Sequence, residues 1–132
     1  MTVYPSRTVS VSIDRDWREV YDFTSIPENF QRWASGLGRR FEKSGEEWVA
    51  EDPDGRTIRI RFSRPNEFGV LDHVVTLEAI EILIAMRVVP NATGAEVMLT
   101  ILQLPGMTEE RFAADAAAVQ RDLAALRRLL ER

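Results

Sequence analysis

A chain of 132 residues and 15.1 kDa has room for one domain. It contains no cysteine and a single histidine, His73. That excludes disulfide scaffolds, thiolate zinc sites, cysteine nucleophiles and multi-histidine metal centres, so neither a metal nor a cofactor is expected. The net charge of −4, with a pI near 5.1 and arginines scattered rather than clustered, argues against nucleic acid as a partner.

Size scaling gives a folded surface of ~7,000 Å² against ~22,000 Å² unfolded, enough burial for a core without crosslinks. Met1 to Val11 lacks the pattern of a secretory signal, and the longest unbroken apolar run, Ile82 to Met86, is far short of a membrane span. The expectation is a cytoplasmic chain with no membrane partner, folding as one domain over residues 1–132. Asn91-Ala92-Thr93 matches a glycosylation sequon and reads as a turn.

Val9, Val11 and Ile13 alternate with Thr8, Ser10 and Ser12, which predicts a half-buried strand. Asp14 is the expected N-cap of a short helix on which Trp17, Val20 and Tyr21 recur at helical spacing, with Phe23 nearby. Ser25 and Glu28 have capping-box spacing around Pro27, which predicts a second short helix carrying Phe30 and Trp33 on one face and ending at Gly36.

From Arg39 to Leu104 the apolar period is two, broken by turn signals at Ser44-Gly45, Pro53-Asp54-Gly55, Pro65-Asn66 and Pro90-Asn91. These breaks leave six strands in an antiparallel meander, the fourth running from Phe68 to Glu78. Arg59 and Arg61 with Glu47 and Glu51 are expected to form a solvated charge ladder. The closing segment, Thr108 to Arg132, predicts one long helix. Thr108 caps it, Met107 and Phe112 staple it, and Phe112, Ala116, Val119, Leu123, Leu126 and Leu130 form its apolar stripe. At about 23 residues it reaches ~35 Å, enough to cross a sheet.

The fold class is therefore α+β: one strand, two short helices, six antiparallel strands and a long C-terminal helix. This is the helix-grip order. Thr8-Val9-Ser10-Val11 with Trp17, Val20 and Tyr21, Glu28-Asn29-Phe30 with Trp33-Ala34-Ser35-Gly36-Leu37, and Asn66 with Phe68-Gly69-Val70-Leu71-Asp72-His73 carry a resemblance that spans the chain. So do Met86-Arg87-Val88-Val89-Pro90-Asn91 and Gln103-Leu104-Pro105-Gly106-Met107. The chain resembles the SRPBCC/START superfamily, in particular its small bacterial polyketide cyclase/dehydrase-like members. The resemblance implies a helix-grip fold, a curved seven-stranded antiparallel sheet wrapped around the C-terminal helix, with an apolar ligand held between sheet and long helix.

Strand parity assigns faces. Ile82, Ile84, Met86 and Val88 form a uniform apolar set expected to face the long helix, as do Ile58, Ile60 and Phe62. On the Phe68 to Glu78 strand the more apolar set is Leu71, His73, Val75 and Leu77, which turns His73 inward and Asp72 outward, the latter toward an arginine partner.

His73 is the candidate polar anchor or general acid/base; the alternative is a packed histidine bonded to a neighbouring group. Phe30, Trp33, Trp48, Phe62, Met86, Phe112 and Ala116 complete the candidate lining, and each is equally what a core needs. The helix thins at its alanines, Ala113 to Ala118. On the outer face Val70, Val74, Leu83, Met98 and Leu102 suggest contact with a second copy or another protein, unless curvature buries them.

Binding of a small hydrophobic or aromatic molecule, lipid- or polyketide-like, is the leading functional expectation. The alternatives are a cyclase, aromatase or dehydratase leaning on His73, and a module that binds a protein partner.

Overall fold

The alternation near the N-terminus becomes β1, Ser6–Ile13, which buries Val9 and Ile13 and leaves Thr8, Ser10 and Ser12 exposed. The computed structural model describes residues 1–36 and 40–132. Leu37 and the expected strand start at Arg39 lie outside them.

Helix α1 spans Trp17–Thr24, and its cap is Asp16 rather than Asp14. The Asp16 carboxylate accepts from the N–H groups of Arg18 and Glu19. The two-residue delay has a cause. β1 stays paired through Ile13, and a tight Arg15 N–H to Ile13 carbonyl bond of 2.8 Å turns the chain before any helix can start.

The expected capping box at Ser25 does not form. Ser25 closes α1, its hydroxyl donating to the Asp22 carbonyl, and Pro27–Asn29 makes a 3-10 turn with no side-chain cap. The turn leads into the single-turn helix α2, Phe30–Trp33, which ends at Ala34 and not at Gly36.

The strands are β2 Phe41–Ser44, β3 Glu47–Glu51, β4 Thr57–Phe62, β5 His73–Leu77, β6 Ile80–Asn91 and β7 Gly94–Leu102. All pair antiparallel in the order β1-β7-β6-β5-β4-β3-β2, giving an open seven-stranded sheet. The long strand β6 serves two neighbours in turn: Ile80–Ile84 pairs with β5, and Ala85–Asn91 pairs with β7. In the register of β3 and β4, Arg59 faces Val49 and Glu51 faces Thr57. No ion pair joins the expected ladder among the described residues.

The strand expected from Phe68 becomes regular only at His73. Asn66 commandeers the preceding chain: its Oδ1 accepts from Phe68 N and Val70 N, and its Nδ2 donates to the carbonyls of Arg64 and Val70. Gly69 sits at φ +71°, and a β-carbon there would meet the Val88 carbonyl oxygen at 2.1 Å. The register is nonetheless unbroken. Leu71 N bonds to Met86 O as His73 pairs with Ile84, so no residue is inserted and Leu71 and His73 share the inner face. Asp72 pairs with no arginine among the described residues; its Oδ1 accepts the Met86 N–H at 2.8 Å, where the ladder would have used the Leu71 carbonyl.

Helix α3, Glu109–Leu130, is capped by Thr108, which accepts from Arg111 N. It lies nearest β1 and β7 and also meets α2. With α1 it seals one core containing Ile13, Val20, Met86, Val88, Val97, Leu123 and Leu126. A second, smaller cluster of Ala50, Ile58 and Ile60 lies over β3 and β4. On the outer face Leu83 and Leu102 are exposed, while Val70, Val74 and Met98 are half-buried. No described helix is long and apolar enough to cross a membrane.

Candidate functional site: a groove between sheet and helices

The two clusters do not meet fully, and a groove of about 210 Å³ separates them. Its floor is the inner face of four strands: Ile58 and Ile60 of β4, Val75 of β5, Ile84 of β6, and Leu99 and Ile101 of β7. Phe30, Trp33 and Ala34 form one wall, and Val119 with Asp122 of α3 the other. The Asp122 carboxylate ties the helices together by accepting from the backbone N–H and the hydroxyl of Ser35. A β-strand presents every second side chain to one face, so the uniform apolar parity seen in sequence produces a uniform apolar floor.

Phe30 is the hub. Its ring meets Trp33 edge-on at 5.0 Å, Phe62 at 5.3 Å and His73 at 5.5 Å. Phe30, Trp33 and His73 also wall a second, tighter cavity of about 20 Å³, completed by Tyr21, Thr24, Ser25, Phe62, Ser63, Val70, Leu71 and Met86. His73 thus stands between the two spaces.

His73 is 6% exposed, and its Nδ1 lies 3.1 Å from the Leu71 carbonyl oxygen. A carbonyl only accepts, so this contact assigns the proton of the neutral ring to Nδ1 and leaves a bare lone pair on Nε2. No described residue bonds to Nε2. Burial holds the imidazole below its ordinary pKa, opposed by the Leu71 carbonyl and by the negative charge of Asp72. The ring is therefore neutral at neutral pH and acts as an acceptor on its inner edge. The Trp33 indole N–H is buried with no partner among the described residues.

Of the residues singled out from sequence, five come together: Phe30, Trp33 and His73 touch both spaces, and Phe62 and Met86 line the smaller. Three do not. Trp48 stacks on Phe41 at 4.7 Å above the open end of the sheet. Phe112 is buried beneath the Arg7 guanidinium at 5.3 Å. Ala116 packs toward Arg7, Thr8 and Val9 of β1, so the thinning of α3 opens toward the sheet edge and not into the groove.

Tyr21 is the functional candidate that sequence reading left as a helix-face aromatic. Its Oη accepts from Asn66 N at 2.8 Å and it lines the small cavity with His73. Only the packing of α1 against β6 brings it there, and no local pattern signals that. Among the described residues no group of three or more His, Asp or Glu side chains is placed to hold a metal.

No protein-family model matches the chain, and no curated protein sequence matches it significantly. Solved structures do match in fold. DynU16, a protein of the dynemicin biosynthetic locus, superposes over 96% of this chain with a TM-score of 0.71 and 18% identity. The match spans only 47% of DynU16. An uncharacterised protein from Bacillus thuringiensis gives a TM-score of 0.74 at 14% identity, over 96% of this chain and 98% of its own. The Aha1 protein from Colwellia psychrerythraea, solved as a dimer, gives 0.75 at 10% identity, covering 96% of both chains. Fold and site together define the class: an α+β helix-grip protein with a mainly apolar groove between sheet and helices.

Proposed function

We propose that this protein binds a small hydrophobic or aromatic molecule in the groove, as a START-like ligand-binding domain. One observation carries the reading: the groove of about 210 Å³ has an apolar floor and mainly apolar walls, and it lies between the two core clusters. Ligand sites are concave, mainly apolar, and carry a few placed polar groups; here His73 Nε2 and Asp122 are those groups. A volume of this size suits a ligand of two fused rings or a short acyl chain rather than a large lipid. The placement of DynU16 in a biosynthetic locus is in keeping with a small-molecule ligand.

The test is a melting-temperature screen against aromatic and fatty-acid probes, paired with native mass spectrometry of the freshly purified protein. A ligand at about 100 times its Kd stabilises by about 2.7 kcal/mol, a shift of several degrees. Val119→Trp, which fills the groove from α3, should abolish the shift. No shift with any probe, together with no co-purified molecule, would overturn the reading.

A further inference from the structure

The small cavity beside the groove has a polarity that the groove lacks. Its volume, about 20 Å³, holds roughly one water-sized group. Two of its side chains carry complementary unused capacity. Tyr21 is 8% exposed and its Oη accepts from Asn66 N, but among the described residues its own hydroxyl hydrogen has no acceptor. His73 is 6% exposed, and its Nε2 lone pair has no donor. Nε2 is not sealed in as Trp33 Nε1 is, so it opens onto the space around it, where a guest can supply the bonds both groups lack. Thr24 and Ser63 stand beside them with their hydrogens already committed, to the Val20 and Asp72 carbonyls, so both offer only lone pairs inward. The lining therefore wants one guest atom that can donate to Nε2 and accept from Tyr21.

We propose that this cavity is a hydroxyl-binding subsite: the ligand in the groove places a phenolic or enolic O–H between Tyr21 and His73, and a single water stands there when no ligand is bound. Its oxygen accepts from Tyr21 Oη–H and its hydrogen points to Nε2. The shared wall of Phe30, Trp33 and His73 puts such a hydroxyl at the edge of an aromatic body lying in the groove. The ligand arm of this inference rests on the groove reading above; the water arm does not.

Because His73 is the only histidine, ¹⁵N-histidine labelling of the full chain reports on Nε2 without assignment. In the ligand-free protein, Tyr21→Phe should move the Nε2 resonance downfield, as the bridging water loses its second anchor. An unchanged resonance in a folded Tyr21→Phe protein overturns the subsite. The second arm needs no variant that must fold: 1-naphthol and 1-methylnaphthalene differ by a hydroxyl for a methyl. Two hydrogen bonds predict about tenfold tighter binding of 1-naphthol to the wild type. In Tyr21→Phe that preference should shrink toward parity. Equal binding of the two probes to the wild type overturns the subsite and leaves the groove reading standing. Failure of both probes counts against the groove reading, and the Nε2 resonance then decides the subsite on its own.

Discussion

The two halves of the sheet are built from the same kind of strand and end in different states. In the half formed by β1, β7 and the second part of β6, the inner side chains are sealed: Ile13, Met86, Val88, Val97, Leu123 and Leu126 are no more than 2% exposed. In the half formed by β2 to β5, the inner face carries equally apolar residues, yet Phe41, Trp48, Phe62, Val75 and Leu77 stay half-buried. Alternation says which side of a strand is apolar; it does not say whether anything lies on top. Helices α1 and α3 cover the first half, Phe30 of α2 reaches over the second, and the groove opens between them. The total accessible surface of 8356 Å² agrees, exceeding the ~7,000 Å² typical of a closed chain of this mass.

If this contrast is real, truncation should cost very different amounts on the two sides. Leu123→Ala or Leu126→Ala in the sealed half should lose about 3–5 kcal/mol of unfolding free energy in urea. Val75→Ala, on the groove floor, should lose only about 1 kcal/mol, because water already reaches its site. Equal costs would mean that the groove closes in solution. Gly69→Ala probes the seam between the halves. The left-handed backbone and the approach to Val88 O predict a loss of about 2–3 kcal/mol. A loss under 0.5 kcal/mol, on the order of a neutral surface change, would show that the loop held by Asn66 relaxes freely.

The seam also carries a pH signature. The pKa of His73 is held below its ordinary value of 6.5 by burial, so between these two values the unfolded chain binds more protons than the folded one. Stability is then complete above about pH 6.5 and falls as the pH drops below it, with a slope of at most about 1.4 kcal/mol per pH unit. Asp52, Glu96 and Glu131, also shifted downward, start from 3.8 and 4.5 and act only in more acid solution. Urea unfolding between pH 7.5 and 5 isolates His73, and His73→Phe should flatten the profile. A wild-type profile that is already flat would place the imidazole in contact with bulk water.

Local chemistry made most of the fold legible. β4, β6 and β7, the Thr108 cap and the long helix follow from spacing and capping alone. The errors arose where local options competed. Asp14 and Asp16 are both able caps, and only the extra pairing of β1 decided between them. Asn66 and Gly69 look like a simple break in a strand; in fact the chain keeps its register and the ladder bonds of Gly69 O and Leu71 N, while Asp72 takes the place of the Leu71 carbonyl. The site was half legible: parity put His73 with Phe62 and Met86, whereas Tyr21, Phe112 and Ala116 depended on which helix face met which strand.

Trp33 offers the finest test, because two opposing effects meet in one side chain. Its indole N–H is buried at the groove wall without a partner among the described residues, a liability of about 1–3 kcal/mol. Replacing it by Phe removes that liability, keeps an aromatic face against Phe30 and discards part of a buried ring. The lost packing costs a similar amount. Trp33→Phe should therefore change stability by less than about 1 kcal/mol, an unusually small effect for a side chain 5% exposed. The same truncation enlarges the space where sheet and helices part, so a two-ring probe should bind at least as tightly as to the wild type. A loss of several kcal/mol in urea would instead mean that the indole N–H has a partner in solution, and that the wall at Trp33 belongs to the sealed half of the molecule.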